Sequence, residues 1–327
     1  MRILVTGSEG SLMQAVIPHL LEQGHEVVGV DNFFRYGLIT RDRGYELRTG
    51  DLADPVFATE CVANTDAVIQ AAARIFGVGG FHQYPADILS HDVTLHQNIL
   101  WAAQRAGVPK VAYISSSMVF ERVESHPSSE EQVFEAPIPA TDYGLSKLTG
   151  ERLSMAFSRQ YGLKYVVWRP FNIITPYERA EREQGLSHVF ADFIRMIVDE
   201  RRNPITVLGD GEQVRCFTWI DDVASTIAKW SFDPATDNEA FNLGNPEPTT
   251  MRELGQIIYD EAQAAGLLPF SDEPLGFTPT PIYSDDVKIR IPDITKASAR
   301  LGFAPTMRVR DSVRECLRVH ASREVDG

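Results

Sequence analysis

Short apolar runs alternate with longer amphipathic stretches through the first half of the chain. The apolar runs predict strands at 2–6, 25–31, 45–52, 66–73, 110–117 and 164–170. Apolar residues at helical spacing predict helices over 12–23, 88–106 and 141–161. Strands that are apolar nearly throughout are typical of a parallel sheet covered by helices on both faces. The alternation therefore predicts an α/β fold around a parallel sheet.

The second half of the chain is less regular and richer in proline and glycine, notably at 245–250 and 268–286. Helical spacing there predicts helices near 188–200, 221–232 and 251–265. We expect residues 1–170 to form one domain, to which segments near 210–245 return. Residues 171–327 are expected to form a smaller α/β portion that closes over the carboxyl ends of the strands, where ligands bind.

The composition favours a soluble enzyme over a nucleic-acid-binding or membrane protein. Hydrophobic residues make up 43% and charged residues 23% of the 327, with a net charge of −14. Phosphate contacts to nucleic acid need clustered cations, whereas an anionic small molecule needs only one or two. No apolar run has the roughly 18–20 residues of a membrane span, and the chain enters a strand directly, so we expect no signal peptide. Cys61, Cys216 and Cys316 lack metal-ligand spacing, which predicts reduced thiols, no metal site and a cytoplasmic location.

The turn TGSEGSLM at 6–13 has the spacing of a dinucleotide-binding turn. Gly7 and Gly10 permit a tight turn and close approach to a pyrophosphate, while the following helix offers free N–H groups. Asp31 ends the second strand about twenty residues later, where a carboxylate accepts hydrogen bonds from a ribose 2′-OH. Because this carboxylate would repel a 2′-phosphate, the pattern favours NAD over NADP, a preference that the nearby Arg35 would soften.

One position departs from the dinucleotide-binding turn. The third small residue, which normally lets the helix pack closely on the strand, is replaced by Met13. Methionine fills irregular gaps, so we expect a shifted helix and a retained site.

The sequence YGLSK at 143–147 places two functional groups on one helix face. Tyr143 and Lys147 are four residues apart, and an ammonium beside a phenol is expected to lower the phenol pKa. Tyr143 is therefore a candidate acid and base for a hydroxyl during hydride transfer. A serine in ISSSMVF (114–120), at the end of a strand, can hydrogen-bond the same substrate oxygen.

Taken together, the motifs resemble those of the extended short-chain dehydrogenase/reductases, and within them the NAD-dependent epimerase/dehydratase family acting on nucleotide sugars. In chain order they are TGSEGSLM, Asp31, GDL (50–52), QAAA (70–73), SSSMVF (115–120), YGLSK, RPFN (169–172) and DGEQVRCFTWIDDVA (210–224). The resemblance covers nearly the whole chain. It implies a doubly wound Rossmann sheet that binds NAD, a smaller C-terminal domain that grips a nucleotide-diphosphate sugar, and a homodimer built from the 88–106 and 141–161 helices.

The resemblance also implies a role for particular residues. The catalytic group is Ser116, Tyr143 and Lys147. The cofactor contacts are Gly7, Gly10, Asp31, Asn32, Asp51, Leu52, Ala71, Ala72, Ala73, Tyr143, Lys147 and Pro170. The substrate contacts are Asn172, His188, Arg215 and Arg290. Gln70 stands where the family frequently has a histidine.

The residues after Ser116 bear on the type of reaction. Sugar 4,6-dehydratases have an Asp-Glu pair there, and 3,5-epimerases and GDP-fucose synthases have a cysteine at the second position. Here the two positions are Ser117 and Met118, and neither side chain is a base at neutral pH. We therefore expect C4 epimerisation, as in UDP-glucose 4-epimerases, in which hydride leaves to NAD and returns to the other face of the sugar. Oxidation or reduction at one carbinol stays open.

Other features keep further alternatives open. The segment 73–89 resembles a loop of GDP-mannose 3,5-epimerases and GDP-fucose synthases, so a dehydratase, 3,5-epimerase or reductase would need another acid or base. The candidates for that group are His82, His91, Glu121 and His188, and we favour His188 because SHVF (187–190) lies in the expected substrate segment. A non-catalytic NAD(H)-binding sensor is the remaining alternative.

Overall fold

The computed structural model describes residues 1–38 and 42–325. The first half comprises β1 (Arg2–Thr6), α1 (Ser11–Glu22), β2 (Glu26–Asp31), β3 (Glu46–Thr49), α2 (Pro55–Val62), β4 (Ala67–Gln70), α3 (Val78–Gln83), α4 (Pro85–Ala106), β5 (Lys110–Ile114), α5 (Asp142–Tyr161) and β6 (Lys164–Pro170). The second half comprises β7 (Ile173–Ile174), α6 (Val189–Ile194), β8 (Ile205–Leu208), β9 (Val214–Cys216), β10 (Thr218–Trp219), α7 (Ile220–Trp230), β11 (Glu239–Leu243), β12 (Pro248–Thr250), α8 (Met251–Ala264), β13 (Phe277–Thr280), α9 (Thr295–Leu301) and α10 (Val309–Val325).

Seven strands form one parallel sheet in the order β3-β2-β1-β4-β5-β6-β11. The chain winds outward from β1 in one direction and then, from β4, in the other. This is the doubly wound Rossmann arrangement, and it confirms the predicted fold class. The change of direction opens a crevice at the carboxyl ends of β1 and β4, where ligands bind in such folds.

Helices cover both faces of this sheet, as the continuous apolar strands predict. Ile3 and Val5 of β1 pack into one hydrophobic layer with residues of α1 and α7, whereas Leu4 packs into the opposite layer with residues of α2 and α4. All three side chains are fully buried. Each contributes roughly 1.5–3 kcal/mol by its removal from water, so β1 is held firmly where the first turn begins.

The C-terminal portion has a hydrophobic core of its own beside the sheet. Phe193 of α6, Leu254 of α8 and Val313 of α10 belong to this core. Helix α8 begins at Thr250, whose side chain accepts the N–H of Glu253 while the Glu253 carboxylate accepts the N–H of Thr250. This capping box satisfies two N–H groups at the helix start.

Several elements of the structure are not predicted by the sequence patterns. The predicted 188–200 helix is α6 followed by a π-helical turn, Arg195–Asp199. Helices α2, α3, α9 and α10, strand β11 of the central sheet and three two-stranded sheets were not predicted. The two-stranded sheets contain strands of only two to four residues, too short to show a period. No helix within 1–38 and 42–325 has both the length and the apolar character needed to cross a bilayer.

Candidate functional site

A large cleft runs along the carboxyl edge of the sheet and continues under the C-terminal portion. Its walls include the β1–α1 turn, the end of β2, the segment 71–78, the start of α5 and residues 184–193. All the residues assigned to the site from the sequence line this cleft, and Asn32 and Pro170 are among them. The topology thus brings together segments spread over most of the chain.

The β1–α1 turn packs closely against the segment that follows β4. Gly7 has φ +65°, and a Cβ there would lie 2.9 Å from the Cα of Ala72. Gly10 precedes α1 and has no side-chain cap among the described residues, so the first N–H groups of the helix are uncapped beside the cleft. Met13 is buried and packs in the same layer as Ile3, so it fills core space. The expected shift of α1 stays a prediction.

Asp31 ends β2 and lines the cleft beside the β1–α1 turn. Its carboxylate accepts the N–H of Glu9 at 2.9 Å and that of Phe33 at 2.8 Å, although burial raises its pKa. Arg35, which was expected to soften the preference for NAD, is 2.7 Å from the Glu181 carboxylate and 3.3 Å from the carbonyl oxygen of Leu186. Its guanidinium is therefore held toward the C-terminal portion.

Asp51 and Leu52 line the same end of the cleft. The Asp51 carboxylate lies 3.0 Å from Nε2 of His91. Burial favours a higher pKa for Asp51, but the hydrogen bonds from Ala53 N–H and His91 outweigh it and lower the pKa. Leu52 is buried, so it offers an apolar wall.

The run 71–73 is held in place by two polar side chains. Thr6 Oγ accepts the N–H groups of Ala71 and Ala72, each at 3.0 Å. Gln70 accepts the Thr6 hydroxyl and donates to the carbonyl oxygen of Ala72 at 3.2 Å. Gln70, at the family's frequent histidine position, thus fixes the backbone of the cofactor wall.

Ser116, Tyr143 and Lys147 meet where β5 ends and α5 begins. The Ser116 hydroxyl lies close to Tyr143, whose pKa it acts to lower, and accepts the N–H of Met118 at 3.2 Å. The Lys147 Nζ donates to the carbonyl oxygen of Ile114 at 3.0 Å and lies 5.7 Å from the centre of the Tyr143 ring. All three side chains face the cleft.

The pKa values in this group differ from the sequence-based expectation. Burial raises the pKa of Tyr143, with the nearby Ser116 hydroxyl opposing it, and burial lowers the pKa of Lys147 to about 8. The expected lowering of the phenol pKa by Lys147 is therefore wrong for this arrangement. Desolvation dominates because both side chains are buried and the Lys147 ammonium points to a carbonyl oxygen.

An aromatic ring that the sequence did not predict covers the tyrosine. Phe81 of α3 stacks on Tyr143 with ring centres 4.5 Å apart and planes within 5°. Helix α3 is tied to the C-terminal portion, because Gly77 N–H donates to Leu186 O at 2.8 Å and Gly79 N–H to Gly185 O at 2.9 Å. The 73–89 segment therefore forms a bridge over the tyrosine.

Two arginines and an asparagine face the substrate half of the cleft. Arg290 donates to Ser117 Oγ at 3.2 Å and contacts Met118 Sδ at 2.7 Å, and its buried Nε has no hydrogen-bond partner within 1–38 and 42–325. Arg215 pairs with Asp286 at 3.1 Å, and burial lowers its pKa to about 9. The buried Oδ1 of Asn172 likewise has no partner in this part of the chain. Buried polar atoms of this kind need a partner, and a polar ligand in the cleft would supply one.

His188 is held by an acidic residue that the sequence analysis missed. The Glu178 carboxylate accepts the His188 backbone N–H at 3.0 Å and lies 2.9 Å from Nδ1. Burial alone would lower the pKa of His188, but the Glu178 charge outweighs it and raises that pKa. The imidazole is half-exposed to the cleft. The one signal for this pair in the sequence is that Glu178 and His188 lie only ten residues apart.

The other three acid-base candidates are engaged with protein partners. His91 pairs with Asp51, as described above. His82 stacks on Tyr283 with ring centres 3.9 Å apart and lies 3.3 Å from Asp285. Both oxygens of Glu121 accept from Thr141, which caps α5. These contacts indicate that His82, His91 and Glu121 stabilise the walls of the cleft.

The doubly wound sheet, the glycine turn at its crevice and a Tyr-x-x-x-Lys helix beside it define a protein of the short-chain dehydrogenase/reductase type. The profile of the NAD dependent epimerase/dehydratase family matches residues 3–244. The chain belongs to this family.

Individual relatives act on several nucleotide sugars. YtcB of Bacillus subtilis, described as an uncharacterised UDP-glucose epimerase, is 25% identical over 96% of both chains. GDP-mannose 3,5-epimerase 1 of Oryza sativa subsp. indica is 27% identical over 96% of this chain and 80% of its own. The structure of UDP-glucose 4-epimerase from Thermotoga maritima with UDP-glucose is similar over 100% of both chains, with a TM-score of 0.82 and 27% identity. These relatives support an enzyme of the nucleotide-sugar epimerase and dehydratase class.

Proposed function

We propose that this protein is an NAD-dependent nucleotide-sugar epimerase that inverts a carbinol, C4 of the sugar, by oxidation and reduction. The observation that carries the proposal is the meeting of Ser116, Tyr143 and Lys147 in the cleft that also contains the glycine turn. Ser117 and Met118, where related dehydratases and 3,5-epimerases have their acid-base groups, contact Arg290 and cannot move a proton at neutral pH.

The residues of the cleft fit a dinucleotide. Glycine at position 7 lets the first turn lie against Ala72, where a Cβ would clash. The N-terminus of α1, which has no side-chain cap, suits a pyrophosphate. The Asp31 carboxylate suits the two hydroxyls of an adenosine ribose, while Asn32, Asp51, Leu52 and the 71–73 backbone supply the walls around it. Bound NAD would supply a hydride acceptor that becomes the donor for the return step.

The proton is handled by the chain's own side chains. Tyr143 takes the proton of the sugar hydroxyl as the carbonyl forms and returns it when the alcohol is restored. Ser116 would hydrogen-bond the same sugar oxygen. Lys147, with a pKa of about 8, is mostly protonated at pH 7, and its ammonium donates to the Ile114 carbonyl oxygen beside the Tyr143 ring. Pro170 completes the wall on the other side of the cofactor space.

The substrate half of the cleft is proposed to hold the sugar diphosphate. Arg215 and Arg290 are two buried cations on one wall, and Arg forks bind phosphate oxygens in a planar, bidentate manner. The unpartnered Oδ1 of Asn172 accepts a hydroxyl of the ligand. We propose the same division for the whole chain. Residues 1–170 and the returning segments near 210–245 bind the cofactor, and the rest of 171–327 binds the substrate. A homodimer through α4 and α5 stays a prediction of the family resemblance.

One observation favours a second candidate, an epimerase that removes a C–H proton. His188 faces the cleft with Nδ1 bound to Glu178, and its Nε2 has no partner among the described residues. Such a pair could exchange the proton of a carbon next to the 4-keto group. C3 or C5 epimerisation would then follow oxidation.

Replacing Tyr143 by phenylalanine tests the proposed role directly. We expect Tyr143→Phe to lower kcat by about 10²–10⁴-fold, because the proton acceptor is lost. NAD affinity, measured by calorimetry, is expected to fall by no more than about tenfold, since one hydrogen bond to a neutral group is worth roughly 0.5–1.5 kcal/mol. Unchanged turnover would contradict the assignment. A protein that binds NAD but converts no nucleotide sugar, even as wild type, would instead be a sensor.

A further inference from the structure

Glu9 lies between the two glycines of the first turn and is held by residues far along the chain. Its carboxylate receives two hydrogen bonds from Arg43, from Nε at 2.9 Å and from Nη2 at 3.2 Å, and one from the Tyr45 hydroxyl. The Glu9 side chain is 3% exposed and that of Arg43 12%. The ion pair is therefore largely shielded from water, unlike most surface pairs.

This cluster adjoins the place proposed for the adenosine ribose. The Glu9 N–H donates to Asp31 at 2.9 Å, and both residues line the cleft. The negative charge of Glu9 also contributes to the raised pKa of Asp31, which reflects their closeness. A 2′-phosphate on the ribose would therefore meet two neighbouring carboxylates.

We infer that Glu9, by engaging Arg43, is a second determinant that selects NAD against NADP in this protein. The inference rests on the proposed binding of a dinucleotide in the cleft. It extends the usual role of a carboxylate at the end of the second strand to a residue of the turn itself.

The guanidinium of Arg43 already has an anionic partner. A phosphate monoester carries about −1.5 to −2 charges at pH 7 and is bound best by an arginine fork. The Arg43 fork is already occupied by Glu9 in a paired geometry. Arg35, the other arginine near Asp31, is held by Glu181. Hence neither arginine is available to a 2′-phosphate while its acidic partner is present.

Removing the charge of Glu9 should release Arg43. We expect Glu9→Gln to raise the NADP affinity relative to NAD by roughly ten- to a hundredfold, the range that a hydrogen bond to a charged group is worth. Dissociation constants for both cofactors, measured by titration calorimetry at one fixed salt concentration, give this ratio without any substrate. Tyr45→Phe is the matched control. It removes one hydrogen bond to Glu9 and keeps the ring that packs against Gly29, so the ratio should stay within about threefold.

A double variant identifies the cation involved. Glu9→Gln combined with Arg43→Gln should lose the gain in NADP affinity, because the released guanidinium is absent. The inference is overturned if Glu9→Gln, folded by its melting curve, leaves the ratio unchanged, or if the double variant keeps the full gain. Failure of the wild type to bind either cofactor would instead contradict the proposed function.

Discussion

At the scale of single residues, the site contains several ionisable groups whose surroundings move their pKa values in opposite directions. Burial raises the pKa of Tyr143 and lowers that of Lys147, which moves the two values further apart. Burial disfavours the charged form of each group, the phenolate of Tyr143 and the ammonium of Lys147. The Tyr-x-x-x-Lys spacing predicts the pair, but only the burial shows which effect dominates.

Asp192, which lines the cleft, allows a test of how burial changes a side-chain pKa. One oxygen accepts Gly185 N–H at 2.7 Å, the other lacks a hydrogen-bond partner, and burial raises the Asp192 pKa to about 7. Since an unfolded aspartate titrates near 4, the folded state binds the extra proton between about pH 4 and 7. The contribution of Asp192 to the unfolding free energy therefore falls as pH rises through this window.

We expect Asp192→Asn to be more stable than the wild type at pH 8, by on the order of 2 kcal/mol, with the difference shrinking toward pH 4. The amide cannot ionise and can still accept the Gly185 N–H. Urea unfolding at pH 5 and pH 8 measures the difference, with the exposed Asp272→Asn as control. A stability difference that is independent of pH would contradict the account.

At the scale of elements, the bridge formed by α3 connects the two halves of the cleft. Gly77 lies against the backbone of 185–187, and a Cβ there would overlap the carbonyl oxygens of Gly185 and Ser187. Its φ of −77° is open to any residue, so the requirement for glycine is purely one of space. The stacking of Phe81 on Tyr143 depends on this close approach.

We expect Gly77→Ala to separate α3 from 185–187 and to destabilise the protein by about 1–3 kcal/mol, as overpacking does. Hydrogen exchange of the Gly77 and Gly79 amides should become at least tenfold faster, because their acceptors move away. Gly24→Ala is the control. Its φ of +77° costs about 1 kcal/mol in strain, but no atom lies within 4 Å of the new Cβ. Unchanged exchange at Gly77 would show that the bridge tolerates a side chain.

The elements that the sequence predicted are those with their own internal pattern. Strands β1 to β6 were predicted from their apolar runs, and helices α1, α4, α5, α7 and α8 from the helical spacing of their apolar residues. Helix α3 has only six residues, three of which are Gly79, Gly80 and Phe81, and its position depends on backbone contacts with 185–187. No local pattern encodes such contacts.

At the scale of the whole molecule, the fold gathers the site from segments that span positions 7 to 290. The chemical groups predicted from motifs all line one cleft. The residues that were not predicted, Glu9, Arg43 and Glu178, act through partners that the tertiary fold supplies. A net charge of −14 is compatible with an anionic substrate because Arg215 and Arg290 are concentrated on one wall of the cleft.

The most direct test of the central claim is to incubate the purified protein with a panel of nucleotide sugars in deuterated water and to determine the mass and configuration of the product. Hydride that is removed and returned within the cleft never exchanges with solvent. The account predicts a sugar inverted at C4, without carbon-bound deuterium and without net formation of NADH. A product with deuterium on carbon, or one that has lost water, would contradict it and assign proton removal from carbon to this site.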